Sequence, residues 1–228
     1  MKIKAVVFGA YGTLFDVYSM GALADKLFPS QGQAFALMWR DRQIDYTRLV
    51  TMSDPSPRGS KYYLPFWELT IRSLHYVCKR MSLNLTPEQE KRLMEQYAKL
   101  TSFEDSLTVL KTIKEKGLST AILSNGSREM LATVVESNGV KPYLDKVVTI
   151  EVIRLFKTAP QAYALLLKAF PVKKEEILFV SSNAWDALAA KWFGFDVFWV
   201  NRLGHPFEEI GEKPNYEGTS LTMVLEVI

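Results

Sequence analysis

Apolar and polar positions fall into alternating blocks along this chain. Ile3–Phe8 (IKAVVF) is a short apolar run that stops at Gly9, and its length and boundary predict a buried strand. Four similar runs follow at Ser119–Ser124, Lys146–Ile150, Ile177–Ser182 and Asp196–Asn201. Between and before them, apolar residues recur with helical spacing over 104–116, 128–138, 159–169 and 184–193. Strand and helix therefore alternate at the spacing of βαβ units. That order predicts an α/β fold, a doubly wound, Rossmann-like parallel sheet with helices on both faces. In such a sheet, ligands bind beyond the carboxyl ends of the strands, where residues distant in sequence meet.

From about Asp16 to Tyr97 the alternation stops. The pattern there predicts consecutive helices over 19–28, 31–51, 62–80 and 87–100, with no strand. Ser53–Ser60 (SDPSPRGS) reads as a loop between two of them. Thr86-Pro87-Glu88-Gln89 reads as an N-cap with proline at the first helical position and glutamine three residues after the cap. The expected organisation is a core formed by 1–15 and 98–228, with a helical cap, 16–97, inserted after the first strand. A cap in that place overhangs the strand ends and can exclude water from them.

Composition narrows the function classes. Hydrophobic residues make up 48% of the 228 residues and charged residues 23%, which predicts a folded globular chain rather than a disordered one. The net charge is +3 and the basic residues are scattered, so neither nucleic acid nor an anionic membrane is an expected partner. No apolar run approaches the ~20 residues of a membrane span, and Met1–Phe8 is too short for a secretory signal core. One cysteine, Cys78, excludes an intrachain disulfide and fits a reducing cytoplasm. It lies in an apolar helical stretch and reads as a core thiol. With only His75 and His205, a zinc centre of Cys and His is not expected.

Four segments fall just after predicted strands or at helix starts. They are Val6-Val7-Phe8-Gly9-Ala10-Tyr11-Gly12-Thr13-Leu14-Phe15-Asp16, Ile122-Leu123-Ser124-Asn125-Gly126-Ser127, Phe156-Lys157-Thr158-Ala159-Pro160 with Tyr163, and Phe179-Val180-Ser181-Ser182-Asn183-Ala184-Trp185-Asp186 followed by Phe193-Gly194-Phe195. A fifth, Leu37-Met38-Trp39-Arg40-Asp41-Arg42-Gln43 ending in Asp45-Tyr46, lies in the helical insert. Together they resemble the haloacid dehalogenase superfamily, in its L-2-haloacid dehalogenase branch, over essentially the whole chain. The resemblance departs at one decisive place. The branch reads F-D-x-Y-G-T-L at the first motif, whereas this chain reads Phe8-Gly9-Ala10-Tyr11-Gly12-Thr13-Leu14, with Gly9 at the nucleophile position.

The resemblance implies a hydrolase that displaces halide from (S)-2-haloalkanoic acids and yields (R)-2-hydroxy acids through an aspartyl ester, without cofactor or metal. Its partners would be the small 2-halocarboxylate and the halide ion, with a homodimer possible through the cap's apolar helices. Such a reaction needs a cation beside the nucleophile and donors for the substrate carboxylate and the departing halide. The resemblance assigns these roles to Lys157, to Ser124 and Asn125, and to Arg40, whose guanidinium stays charged and offers forked donors. Thr13, Ser181, Asn183 and Asp186 would form the floor, with Asn183 and Asp186 orienting the lysine and the hydrolytic water. The residue reading leaves Asp186 open as a helix N-cap. Tyr163 would hydrogen-bond within the site or serve as a helix-core tyrosine. Tyr11, Ile44, Phe66 and Trp185 would wall the substrate.

Phosphatases of the same superfamily carry carboxylates where this chain has Tyr11 and Ser182, which makes a magnesium-dependent phosphatase a poor alternative. Glycine cannot attack carbon. Asp16, past the following turn, is expected to be structural and no substitute. The reading is therefore a nucleophile-deficient dehalogenase site, or else a non-catalytic protein that binds short 2-substituted carboxylates. Either way, Gly9 predicts a small wet cavity near Lys157, and a lysine deprived of its closest anion.

Overall fold

The computed structural model describes residues 3–228. Its centre is a six-stranded parallel sheet. The strands are β1 (Ala5–Phe8), β2 (Ser119–Ser124), β3 (Lys146–Thr149), β4 (Ile177–Ser181), β5 (Asp196–Val200) and β6 (Tyr216–Gly218). Their order across the sheet is β3-β2-β1-β4-β5-β6. The chain builds outward from β1 through β2 to β3, then returns to β1's other edge for β4. Ala5 accordingly registers with Ser119 on one side and with Ile177 on the other. That reversal opens a crevice at the carboxyl ends of β1 and β4, the switch point at which such sheets bind ligands.

The strand sequences explain their place. AVVF in β1 and ILFVS in β4 are buried throughout, as central parallel strands covered on both faces must be. Helices α5 (Glu104–Glu115), α6 (Arg128–Ser137), α7 (Pro160–Ala169) and α8 (Ala184–Phe193) supply the cover. α6 is capped by Ser127, whose side chain accepts from Met130 N–H. α8 ends at Gly194 in the left-handed region, φ 105°, which a residue with a Cβ adopts at a steric cost. β6 is an edge strand of three residues that the pattern does not predict. Tyr-Glu-Gly has no alternation to read, and it is held by pairing with β5.

Between β1 and α5 lie four helices and no strand: α1 (Ser19–Leu27), α2 (Gly32–Met52), α3 (Phe66–Arg80) and α4 (Pro87–Ala98). They match the predicted series closely. α3 starts later than the predicted 62 because Pro65 stands at its N-cap in an extended conformation. Proline also disfavours helix at the residue before it. The capping box before α4 is present: Thr86 Oγ1 accepts from Gln89 N–H at 3.2 Å, and Gln89 Oε1 accepts from Thr86 N–H at 2.9 Å.

Two links join this insert to the sheet and run side by side. Asp16 N–H donates to the Thr101 carbonyl at 2.8 Å and Phe103 N–H to the Leu14 carbonyl at 3.0 Å. A third tie comes from the Ser53–Ser60 loop. Ser60 N–H donates to the Arg154 carbonyl, and Thr51 Oγ1 accepts from Phe156 N–H at 3.0 Å. Gly59 sits there at φ 92°, and a Cβ on it would lie 2.7 Å from the Ile153 carbonyl oxygen. The loop thus clamps the end of α2 to the segment that leads into Lys157. Cys78 is buried in α3, as expected, and burial pushes its thiol up to about 11.

Thr86→Ala should remove the cap of α4 and lower the unfolding free energy by about 1 kcal/mol. Chemical denaturation should show a lower midpoint with an unchanged slope.

Candidate active site

Three strand ends deliver the polar groups of the crevice. β1 ends at Gly9, whose N–H donates to the Val180 carbonyl at 2.9 Å. β2 ends at Ser124 and Asn125, and β4 leads through Ser181, Ser182 and Asn183 into the first turn of α8, which carries Trp185 and Asp186. Lys157 arrives on the loop before α7. Its backbone N–H donates to Asn125 Oδ1 at 2.9 Å, which fixes the loop against β2.

Asp186 organises the floor. Its Oδ2 accepts from Lys157 Nζ at 2.9 Å and from Ser181 Oγ at 3.0 Å, and its Oδ1 accepts from Tyr163 OH at 2.8 Å. The lysine and aspartate side chains are 3% and 2% exposed, so the pair is shielded from solvent. Burial lowers the Lys157 pKa from its ordinary value, the charge and hydrogen bond of Asp186 oppose this, and Arg40 adds to the lowering. Burial raises Tyr163 well above 10.0, so it stays a neutral phenol and a donor. Thr13 Oγ1 accepts from Ser182 N–H at 3.0 Å and closes the floor beneath Gly9.

The helical insert supplies the roof. Arg40, on α2, donates to Gln43 Oε1 at 2.7 Å and to Asn183 Oδ1 at 3.4 Å across the crevice. Asn183 Nδ2 in turn donates to the Tyr11 carbonyl at 3.1 Å. Tyr11 stacks on Tyr97, ring centroids 5.8 Å apart, and packs on Phe66 at 6.0 Å. Burial, with a smaller effect of Tyr97, holds the Tyr11 phenol well above its ordinary pKa.

These groups line a crevice of about 300 Å³, counted with its opening to solvent, and water-sized groups can centre in about 20 Å³ of it. Gly9, Tyr11, Arg40, Ile44, Phe66, Ser124, Asn125, Lys157, Asn183, Trp185 and Asp186 line it, together with Ala10 and Leu123. Eleven of these thirteen positions are candidates read from the sequence. The other candidates, Thr13, Ser181 and Tyr163, stand behind the lining. They are fully buried and act on the crevice through Ser182 N–H and the Asp186 carboxylate.

Three expectations are settled by these contacts. Lys157 does not lack an anion, because Asp186 reaches it directly, although burial still lowers its pKa as expected. Asp186 is not an N-cap: Asn183 holds the cap position, and Asp186 lies inside α8 facing the floor. Asp16 is structural, its Oδ1 accepting from Tyr18 and Ser19 N–H at the start of α1. The cavity expected at Gly9 is present, and its volume is enough for a water molecule.

The sequence reading assigned no role to Gln43 or Tyr97. Gln43 is 1% exposed, and besides accepting from Arg40 it donates to Thr70 Oγ1 at 2.6 Å and to Tyr97 OH at 3.0 Å. A polar residue one helical turn after Arg40 was the available signal. Tyr97 comes from the far end of the insert, and only folding brings it there.

The donor set does not fit a hard divalent cation, which takes several oxygen ligands. Asp186 is the one carboxylate lining the crevice, and both its oxygens are engaged. Among the described residues, no three Asp, Glu, His or Cys side chains converge on a metal-sized site.

The buried pair has a measurable signature. Lys157→Met should strand the Asp186 charge and cost about 3–5 kcal/mol at neutral pH, and adding Asp186→Asn should recover part of it. The sign of the pH effect follows from the lowered lysine pKa. Between its folded value and 10.5, the unfolded chain binds this proton more than the folded one does. Stability should therefore rise with pH through that alkaline window, and this contribution should vanish in Lys157→Met.

A family model described as haloacid dehalogenase-like hydrolase matches residues 3–194. An "(S)-2-haloacid dehalogenase" of Pseudomonas sp. (strain YL) is 36% identical over 225 residues, covering 99% of this chain and 94% of that protein. "Haloacetate dehalogenase H-2" of Moraxella sp. (strain B) is 35% identical and covers 100% and 98%. Among solved structures, a crystal structure of an L-2-haloacid dehalogenase superposes with a TM-score of 0.96 at 48% identity, covering 100% of this chain and 99% of that one. The L-2-haloacid dehalogenase of Xanthobacter autotrophicus with chloropropionic acid covalently bound gives a TM-score of 0.88 at 31% identity, covering 99% and 98%. Motifs, fold and relatives agree, and the chain belongs to the haloacid dehalogenase-like hydrolase family.

Proposed function

We propose that the crevice is a dehalogenation site for (S)-2-haloalkanoic acids, with Gly9 where the reaction needs a nucleophilic aspartate. The observation that carries this reading is the buried Lys157–Asp186 pair beside Gly9, faced across the crevice by Arg40. The names of the relatives and the covalent chloropropionic acid of the Xanthobacter protein support it. In this reading 1–15 and 98–228 form the core and 16–97 the cap. The small crevice suits a short acid.

The residues take roles that follow from their chemistry. Ser124 and Asn125, at the end of β2, hold the substrate carboxylate. Arg40 receives the halide, since a fixed cation stabilises charge that develops as the C–X bond breaks. Tyr11, Ile44, Phe66 and Trp185 wall the C2 substituent and exclude water. A carboxylate at position 9 would attack C2 from the side opposite the halide, with Lys157 keeping it ionised. Water held near Asn183 and Asp186 would then attack the ester carbonyl and free an (R)-2-hydroxy acid. Thr13, Ser181 and Tyr163 position this floor. Glycine has no atom to perform the first step, so the chain as it stands holds substrate without turning it over through an ester.

A second reading rests on Gly9 itself: the protein binds short 2-substituted carboxylates as its whole function. The two readings share the pocket and differ in whether position 9 is its sole defect. The lone buried thiol fits a cytoplasmic protein. Leu37, Leu49 and Met52, exposed along α2, are the surface we assign to a homodimer contact.

Gly9→Asp is the direct test, with halide release measured from L-2-chloropropionate. A new Cβ would lie 3.0 Å from Thr13 Oγ1, a hydroxyl that must give slightly. The variant should turn over at least about 10⁴-fold faster than the parent, the scale of a lost nucleophile. Binding without release in both proteins would favour the binding function, and neither binding nor release would overturn the site reading.

A further inference from the structure

We propose that the space at Gly9 is a subsite for a small external carboxylate, with formate the best fit, and that this anion serves as the nucleophile the chain lacks. The proposal rests on the reading of the crevice as a 2-haloacid site.

Three observations point to it. The first is charge. The crevice is lined by two cations, Lys157 and Arg40, and one carboxylate, Asp186. Asp186 is committed to Lys157, and the hydrogen-bond partners of Arg40 are the neutral amides of Gln43 and Asn183. An aspartate at position 9 would bring the lining to neutrality, and a bound carboxylate restores the same balance. The second is position. A Cβ built on Gly9 would point at Thr13 Oγ1, Ser181 Oγ and Asp186 Oδ2, at 3.0, 3.4 and 3.4 Å. Thr13 Oγ1 accepts from Ser182 N–H and keeps its own proton for an anion placed there, Ser181 Oγ already donates to Asp186, and Lys157 Nζ is 2.9 Å from Asp186 Oδ2. The third is size. The 3.0 Å approach to Thr13 is tight for a methyl group, so acetate is crowded where formate, which has none, is not. The order expected is formate over acetate, and both over a branched or aromatic carboxylate.

The chemistry balances without further reagents. A formate oxygen lone pair forms the bond to C2 as the C–X pair departs with the halide toward Arg40. The product is a 2-formyloxy acid of inverted configuration. Water cleaves its acyl–oxygen bond and returns formate and the (R)-2-hydroxy acid, so the oxygen that came from formate stays on C2. With no ester to the protein formed, formate is both the nucleophile and the regenerated carrier.

The experiment uses the unmodified chain with L-2-bromopropionate and ¹⁸O-labelled formate in ordinary water. Halide release should rise with formate and saturate, and the 2-hydroxy acid should carry ¹⁸O on C2. Gly9→Ala fills the subsite and should abolish the formate-dependent rate. Release that does not respond to formate, or a product without label, would overturn the subsite, the second outcome pointing to direct attack by water. These results are separable from the site reading. If Gly9→Asp turns over but formate has no effect on the parent, only the subsite falls. If Gly9→Asp is also inactive, the reading beneath it falls as well. Should Gly9→Ala fail to fold, the label and the saturation on the parent chain decide alone.

Discussion

Keeping Lys157 and Asp186 charged and out of water is the constraint around which the rest of the crevice is arranged. An unpartnered ion in that place would cost several kcal/mol. The fold meets this by surrounding the pair with donors and acceptors already fixed by secondary structure. Asp186 is aimed by the first turn of α8, and Tyr163 and Ser181 take up its remaining acceptor capacity. Asn125 anchors the backbone of Lys157 to the end of β2. The partners come from the end of β2, from the segment through α7 and from β4–α8, so the pair is assembled when these parts of the parallel sheet pack together. Local charge chemistry and global topology therefore depend on each other.

The helical insert adds what the strand ends do not supply. Arg40 reaches the strand ends only because α2 is held over them by the paired links at 14–16 and 101–103 and by the clamp at Gly59. Its guanidinium is aimed by Gln43, which is itself held by Thr70 and Tyr97. Tyr97 then stacks on Tyr11, whose carbonyl accepts from Asn183. The chain of contacts returns to the residue that Arg40 touches. A polar ring of this kind fixes the distance between roof and floor, because each member loses its partner if the roof shifts.

Gly9 leaves the construction of the crevice intact. The charge pair, the donors at β2 and the apolar walls are all in place around a position with no side chain. The array is satisfied because Asp186 suffices as the counter-ion of Lys157. Relative to an aspartate, glycine at this position lacks one negative charge and the volume of a carboxymethyl group.

Much of this was legible in the sequence. Apolar runs and helical periodicity determined five strands, eight helices and the strand-free helical run after β1, because burial against water imposes those periods on any chain that folds this way. Motif residues at strand ends located the crevice, since a parallel sheet brings its carboxyl ends to one side. Other features depended on tertiary structure. The short β6 strand is set by its neighbour and carries no pattern of its own. The partnership of Lys157 with Asp186, across twenty-nine residues, and the link from Gln43 to Tyr97, across fifty-four, are distances in space that no local pattern encodes. The sequence alone established that position 9 has no carboxylate. Only the packed structure decided that the lysine beside it would be neutralised by Asp186, because that outcome depends on where α8 directs its first turn.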